Sequence, residues 1–277
     1  MRRLLLCCFV LVTITLSAAR SQAQVTSNVY MRILMIRVGN NTGTSFTMEV
    51  DGRQYLVTAK HLVANLKPED SIEIFKADQW SPINVKVFRC EDPIDIAVLV
   101  PPALLTPTFT LEPRTDRFFF GQDAYFAGFP YGLSMSGKKV NGLYPFPLVK
   151  KGTISAQVEE KGATVILLDG YNNRGFSGGP IVYRDINQSK VVFYLAGVVS
   201  GFIPELVPVT TPEKIKPGQD VSQIEQWRIV KLKDGQMAEL KDTEQMVPLN
   251  TGIVIGYHIQ HAVDLVRKNP IGPKVPE

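Results

Sequence analysis

Along most of the chain apolar and polar side chains alternate with the two-residue period of a half-buried strand, in short runs broken by Gly, Pro, Asn or Asp. In "SFTMEV", Phe46, Met48 and Val50 alternate with polar neighbours, and Asp51-Gly52 turns the chain into "QYLVTA". An "NNTG" turn joins this hairpin to the β-rich "VYMRILMIRV" before it. Further strands are expected at "SIEIF", "INVKVF", "DIAVLV", "DAYFAGF", "TVILLD", "PIVYR", "VVFYLAGVVS", "WRIVKL" and "GIVIGYHI". Only "IQHAVDLVRKN" has a helical period, with Ile259, Ala262, Val263 and Val266 on one side. Many strands and one terminal helix predict an all-β chain of antiparallel barrels or sandwiches.

Two irregular stretches divide this pattern. The Pro-rich residues 102–116 separate the strands into two groups and read as a linker. Residues 202–226 carry four spaced prolines, which predict a long surface loop inside the second group, continued by a hairpin at Asp234-Gly235. The expected organisation is an N-terminal barrel over 24–110 and a second over 111–277, with an insertion at 202–249 and the helix at the end.

The first residues change the meaning of composition. "MRRLLLCCFVLVTITLSAARSQAQ" places two arginines before an uncharged apolar run, then small residues that permit cleavage after Ala23. This is a secretory signal pattern over 1–23, which would deliver the protein to the periplasm or outside the cell. If retained, it would instead tether the chain to a membrane. Cleavage removes Arg2, Arg3 and Arg20 from 30 basic residues set against 26 acidic ones, so a net charge of +4 falls to about +1. The basic balance then gives no support for nucleic-acid binding. Of three cysteines only Cys90 remains, so an exported chain of this kind rests on its core without an internal disulfide.

The chemistry concentrates at "DGYNNRGFSGGPIV", residues 169–182. Alone, Ser177 is an ordinary turn serine, His61 a strand-end imidazole and Asp95 a turn carboxylate beside Asp92-Pro93. Together they are the parts of an acyl-transfer site. A serine hydroxyl needs an imidazole to take its proton, and the imidazole needs a carboxylate to fix its tautomer. Gly175 lets the N–H groups of Gly175 and Ser177 converge as an oxyanion hole. "GFSGG" also fits the G-x-S-x-G elbow, with Asp220 or Asp242 and then His258 or His261 following the serine. That elbow requires a helix directly after the serine, whereas Gly178-Gly179-Pro180 leads into a strand. The order His61, Asp95, Ser177 on an all-β chain is the chymotrypsin arrangement.

At these residues the chain resembles the trypsin-like (chymotrypsin-fold) serine peptidases, in particular the bacterial HtrA/Deg-type protease domain. "VTAKHLV" and "DIAVL" are similar to that family's histidine and aspartate motifs, and "DGYNNRGFSGGP" to its serine motif. "AGFPYGL", "KKGTISA" and "IGYHIQHAVDLV" resemble three further family segments, so the likeness runs over about residues 43–266. The resemblance implies two six-stranded antiparallel β-barrels with a C-terminal helix and the catalytic groups at their junction. It implies His61 as general base, Asp95 as its orienter and Ser177 as nucleophile, with an oxyanion hole from Gly175 and Ser177. It also gives Ser200, in "VVSGF", a place on the strand that pairs with substrate. Tyr171 is expected near the base of the primary pocket and Phe202 near its wall. With no acid there, a small or medium apolar residue is expected before the scissile bond.

The departures matter as much. No PDZ domain is expected in this chain, so the substrate capture and oligomer control it gives family members are not carried over. Phe176 stands where trypsins carry the aspartate that pairs with a newly cut N-terminus, so activation of that type is not expected. Lys60 is expected to face solvent. His258 and His261 suggest no third ligand, so no metal or other cofactor is implied. Two readings remain open: an exported endopeptidase acting on protein or peptide substrates, or a protease-fold binding or scaffold protein with an unassembled triad. The 202–249 insertion follows the strand expected to pair with substrate, so it is expected to be a lid or a docking surface.

Overall fold

The computed structural model describes residues 25–185 and 191–276. The signal segment expected at 1–23 lies outside them. A short helix α1 (Ser27–Tyr30) precedes β1 (Ile33–Val38), β2 (Asn41–Val50), β3 (Arg53–Thr58), β4 (Glu69–Lys76), β5 (Gln79–Arg89) and β6 (Ala97–Val100). These six close into an antiparallel barrel in the order β1-β2-β3-β6-β5-β4, sealed where Ile36 of β1 pairs with Ile74 of β4.

The near-continuous apolar run of β1 follows from this closure. Leu34 and Ile36 face the barrel interior with Leu56, Ile72, Val87 and Leu99. Their neighbours Ile33 and Met35 point out, yet pack with Tyr55, Val57 and Val98 against Phe129, Val182, Leu195 and Val198. Both faces of the strand are therefore covered, one by its own barrel and one by the next. Val29 and Tyr30, expected as the start of this strand, lie in α1 instead. The fully buried Arg32 fixes that entry: it donates to the carbonyls of Asn28, Thr47 and Phe109 and to Glu49 Oε2 at 2.8 Å.

Residues 101–122 cross to the second unit with little regular structure, pinned on both sides. Gln54 Nε2 donates to the Thr106 carbonyl at 3.0 Å, and Glu112 and Arg114 bracket Leu195 with two backbone hydrogen bonds of 2.9 Å. There follow β7 (Asp123–Gly128), a small hairpin of β8 (Met135–Val140) and β9 (Tyr144–Phe146), β10 (Leu148–Glu160), β11 (Ala163–Asp169), β12 (Pro180–Arg184), β13 (Phe193–Lys214), β14 (Ile229–Lys231) and β15 (Met237–His258). The sheet order β11-β10-β7-β12-β13-β15-β14, with β11 also paired to β15, closes a second ring of six and leaves β14 outside it. Its interior holds Phe126, Ile154, Ile166, Leu168, Ile181, Tyr183 and Val254. The helix α2 (Gln260–Lys268) buries Ala262, Val263 and Val266, and Ile259 before it, on the face its period predicted.

The proline-rich stretch is the main correction. Residues 202–214 are not a loop: β13 runs on as a ribbon paired with β15, from Pro204 opposite Asn250 to Lys214 opposite Ala238. Pro204, Pro208 and Pro212 are tolerated because β12 pairs only with the first part of β13, leaving the outer edge of the ribbon free. A proline on a free edge or at a bulge removes no needed ladder bond, and register shifts occur next to Pro204 and Pro208. The irregular part shrinks to the far end, where β14 lies against β15 and the turn at Gly235 adopts a φ of 84°. The ribbon exposes Leu206, Met246, Val247 and Leu249.

Candidate active site

The first barrel brings two of the expected residues together. After β3 the buried Ala59 caps a 3-10 turn, Lys60–Val63, that swings His61 outward. Asp95 lies just before β6, beside fully buried Ile96. Its Oδ1 accepts the backbone N–H of His61 at 2.8 Å and its Oδ2 lies 2.7 Å from His61 Nδ1. Because a carboxylate only accepts, Nδ1 carries the proton and Nε2 keeps its lone pair. Burial alone pushes the Asp95 carboxyl up, but hydrogen bonds from His61 and Ser200 outweigh it and hold it below the usual range. Lys60 does not face solvent as expected: its ammonium is tied to Asp92 Oδ1 at 2.7 Å and to the Cys90 carbonyl at 3.1 Å.

The second barrel supplies the rest. Ser200 of β13 donates to Asp95 Oδ2 at 2.5 Å, and its carbonyl accepts the Ser177 hydroxyl at 2.9 Å. A continuous chain thus runs from Ser177 through Ser200 and Asp95 to His61. Among the described residues no hydrogen bond joins Ser177 to His61 directly. The serine side chain has three staggered χ1 wells, and it occupies the one that satisfies its hydroxyl within the protein.

The loop carrying Ser177 is seated by close backbone packing. Thr44 N donates to the Ser177 carbonyl at 3.0 Å and Thr44 Oγ1 to the Gly175 carbonyl at 2.6 Å. A Cβ on Gly178 would lie 2.1 Å from the Thr44 carbonyl oxygen and 2.3 Å from Thr58 Oγ1, and Gly178 has a φ of 83°. Gly175, with a φ of 103°, would bring a Cβ to 2.3 Å from the Phe129 carbonyl. The serine motif is therefore glycine-rich because Gly178 sits on the first barrel, and Gly175 on the turn after β7, without room for side chains.

Peptide geometry orients the N–H groups expected to form an oxyanion hole. The Arg174 carbonyl accepts Tyr131 N–H at 2.8 Å. In a trans peptide the next N–H points the opposite way, so Gly175 N–H is turned away from Tyr131. Among the described residues neither Gly175 N–H nor Ser177 N–H meets a protein acceptor.

Two side-chain contacts were invisible to motif reasoning. Thr44 lies in "NNTGTSF", where alternation marks only an inward-facing strand residue. The hydroxyl of Ser200 was expected to matter through its strand alone, yet it ties the second barrel to the carboxylate of the first. The specificity residues divide: Phe202 is half-buried, but Tyr171 is 57% exposed and no buried floor. Its neighbour Asn172 is the buried one, donating to the Gly201 carbonyl at 2.9 Å and accepting from Asn250.

The remaining candidates fall elsewhere. Asp242 is held by Arg228 at 2.9 Å out on the ribbon, and Asp220 accepts the Ser222 N–H at 2.9 Å beyond it. His258 and His261 are half-buried rather than on the open surface, with ring centroids 6.4 Å apart. His261 Nε2 accepts Thr164 N–H at 3.0 Å, and no group of three metal-binding side chains forms among the described residues. A cleft of about 680 Å³ between β4, β5 and the C-terminal tail, lined by Glu69, Lys86, Pro101 and Pro273, contains none of the site residues.

Comparison with known proteins agrees with this geometry. The family described as "Trypsin-like peptidase domain" matches residues 43–192. Among solved structures, the HtrA-type protease AlgW with tripeptide is 18% identical at a TM-score of 0.53, over 87% of this chain and 61% of that one. An inactive form of Rv3671c from M. tuberculosis H37Rv is 16% identical at a TM-score of 0.51, over 92% and 94%. Its active form gives 15% and 0.50, over 90% and 84%. At such identities these show a shared fold, and this chain spans about three fifths of AlgW. No curated protein matches. With the family's match covering more than half of the sequence, and two closed barrels meeting at His61, Asp95 and Ser177, the chain belongs to the trypsin-like peptidase family.

Proposed function

We propose that the protein is an exported serine endopeptidase that cleaves peptide bonds through an acyl-enzyme. Ser177 Oγ exchanges the Ser200 carbonyl for His61 Nε2 when substrate arrives and attacks the scissile carbonyl. The new Oγ–C bond displaces the carbonyl π pair onto oxygen, where the N–H groups of Gly175 and Ser177 receive it. His61 takes the hydroxyl proton and then gives it to the leaving amine as the C–N bond breaks. Water, deprotonated by the same imidazole, hydrolyses the acyl-enzyme. Asp95 holds the tautomer and stabilises the imidazolium without itself being protonated. No cofactor has a step in this scheme. The substrate is a protein or peptide, and cleavage after Ala23 would release the enzyme into the periplasm or beyond.

The observation that carries this reading is Asp95, whose two oxygens engage the backbone and ring of His61 from one barrel and Ser200 from the other. The rival, a protease-fold scaffold with an idle triad, draws on the Ser177 hydroxyl resting on the Ser200 carbonyl. Labelling of the purified protein by a fluorophosphonate separates them. The peptidase reading expects labelling that is lost in Ser177→Ala and in His61→Ala; absence of labelling in well-folded wild type favours the scaffold.

A further inference from the structure

Lys150 on β10 has no place in the motifs, yet every contact its ammonium makes falls on one segment. It donates to the Tyr171 carbonyl at 2.5 Å and to Asn173 Oδ1 at 2.5 Å. It also sits 5.3 Å from the ring centroid of Phe176 and 5.5 Å from that of Tyr171. Residues 170–179 form no strand or helix, and they carry Gly175, Phe176 and Ser177. No carboxylate is bridged to Lys150 among the described residues. Its four partners are a carbonyl, an amide oxygen and two π faces, all neutral acceptors of positive charge. Burial lowers its pKa, the expected sign for an ammonium taken from water without a counter-charge.

Phe176 gives the arrangement its meaning. Its ring is fully buried, edge-to-face with Phe126 at 5.2 Å, at the position where the resemblance to trypsins leads one to expect an aspartate receiving a new N-terminus. A phenyl ring has no charge with which to form aspartate's ion pair to an α-ammonium, but its face attracts the Lys150 ammonium. We propose that Lys150 is a positioning residue that latches residues 171–176, keeping Gly175 N–H turned toward the substrate carbonyl without any cut at the N-terminus. The latch deepens the peptidase reading and rests on it. It acts through the loop and touches no reacting atom.

The test separates charge from packing. In a background whose other cysteines are alanine, Lys150→Cys is alkylated either with 2-bromoethylamine, which restores an ammonium at lysine length, or with iodoethane, which leaves a neutral side chain. Two readouts are taken: the second-order rate of fluorophosphonate labelling, and hydrogen exchange over residues 170–179. The neutral form is expected to label at least about tenfold more slowly than the background protein and to exchange faster across the loop, with an unchanged melting temperature. The aminoethyl form is expected to recover both. Equal labelling and exchange in the two alkylated forms would overturn the latch. Failure of the background protein itself to label would count against the peptidase reading; the exchange comparison then decides the latch alone, and unchanged exchange rejects it.

Discussion

The two halves of the site are built on different terms. In the first barrel, His61 and Asp95 stand at adjacent strand ends and are locked by two hydrogen bonds to one carboxylate. In the second, Ser177 sits on a ten-residue irregular stretch whose shape depends on Gly178 packed against Thr44, on Gly175 packed against Phe129, on the Arg174–Tyr131 bond and on the ammonium of Lys150. The imidazole of His61 is already oriented by Asp95, whereas the Ser177 hydroxyl is turned to the Ser200 carbonyl. A carboxylate orients one imidazole cheaply, whereas presenting two N–H groups at one point constrains a whole loop.

Breaking the first half should have the largest effect. Asp95→Asn leaves the shape intact but permits the wrong imidazole tautomer, so kcat is expected to fall about 10,000-fold, measured on a peptide substrate. The protein should stay folded, since the carboxamide still fits between His61 and Ser200.

Breaking the second half should cost the fold as well as the site. Gly178→Ala drives a methyl into the Thr44 carbonyl at a positive φ, and a loss of about 3 kcal/mol or more is expected in urea unfolding. Ser200→Ala tests the bridge between the halves. It removes one hydrogen bond to a buried charge, so kcat/KM is expected to drop about tenfold with little change in melting temperature.

These contrasts track what the sequence made legible. Strand alternation, the Asp51-Gly52 turn and the period of residues 259–266 are local properties, and they located most strands and α2. Alternation marks no strand at β8, β9 or β10, although "KKGTISA" lies within β10. Motif chemistry pointed to His61, Asp95, Gly175 and Ser177, which the fold brings to the junction of the two barrels, because an acyl-transfer site has few substitutes for nucleophile, base and orienter. What stayed hidden depends on partners distant in sequence. The ribbon over 204–214 could not be seen because prolines forbid a ladder only if both edges are used, and edge status is a property of the sheet. Lys60 and Lys150 look alike as strand-side lysines; only the fold gives one Asp92 and the other a loop. Tyr171 was expected in a pocket from its position in a motif, but Asn172 takes the buried place.

The smallest expected effect lies outside both halves and sharpens the comparison by leaving the site alone. His258 is pushed down to about 4 by burial beside His261, which is lowered too. Its ordinary value in the unfolded chain lies near 6.5. The unfolded state therefore takes up protons first as pH falls, so stability is full above about 6.5 and declines toward pH 4. Because the group is partly exposed, about 1–2 kcal/mol is expected over that window. His258→Gln should flatten the slope, read from urea midpoints at pH 7 and pH 4.5.

If both halves converge on one substrate carbonyl, a crystal structure of the protein treated with a fluorophosphonate should show it. Phosphorus is expected bonded to Ser177 Oγ, with a phosphonyl oxygen about 3 Å from the N–H groups of both Gly175 and Ser177. An unmodified Ser177 still hydrogen-bonded to the Ser200 carbonyl, or an adduct whose oxygen meets neither N–H, would contradict it.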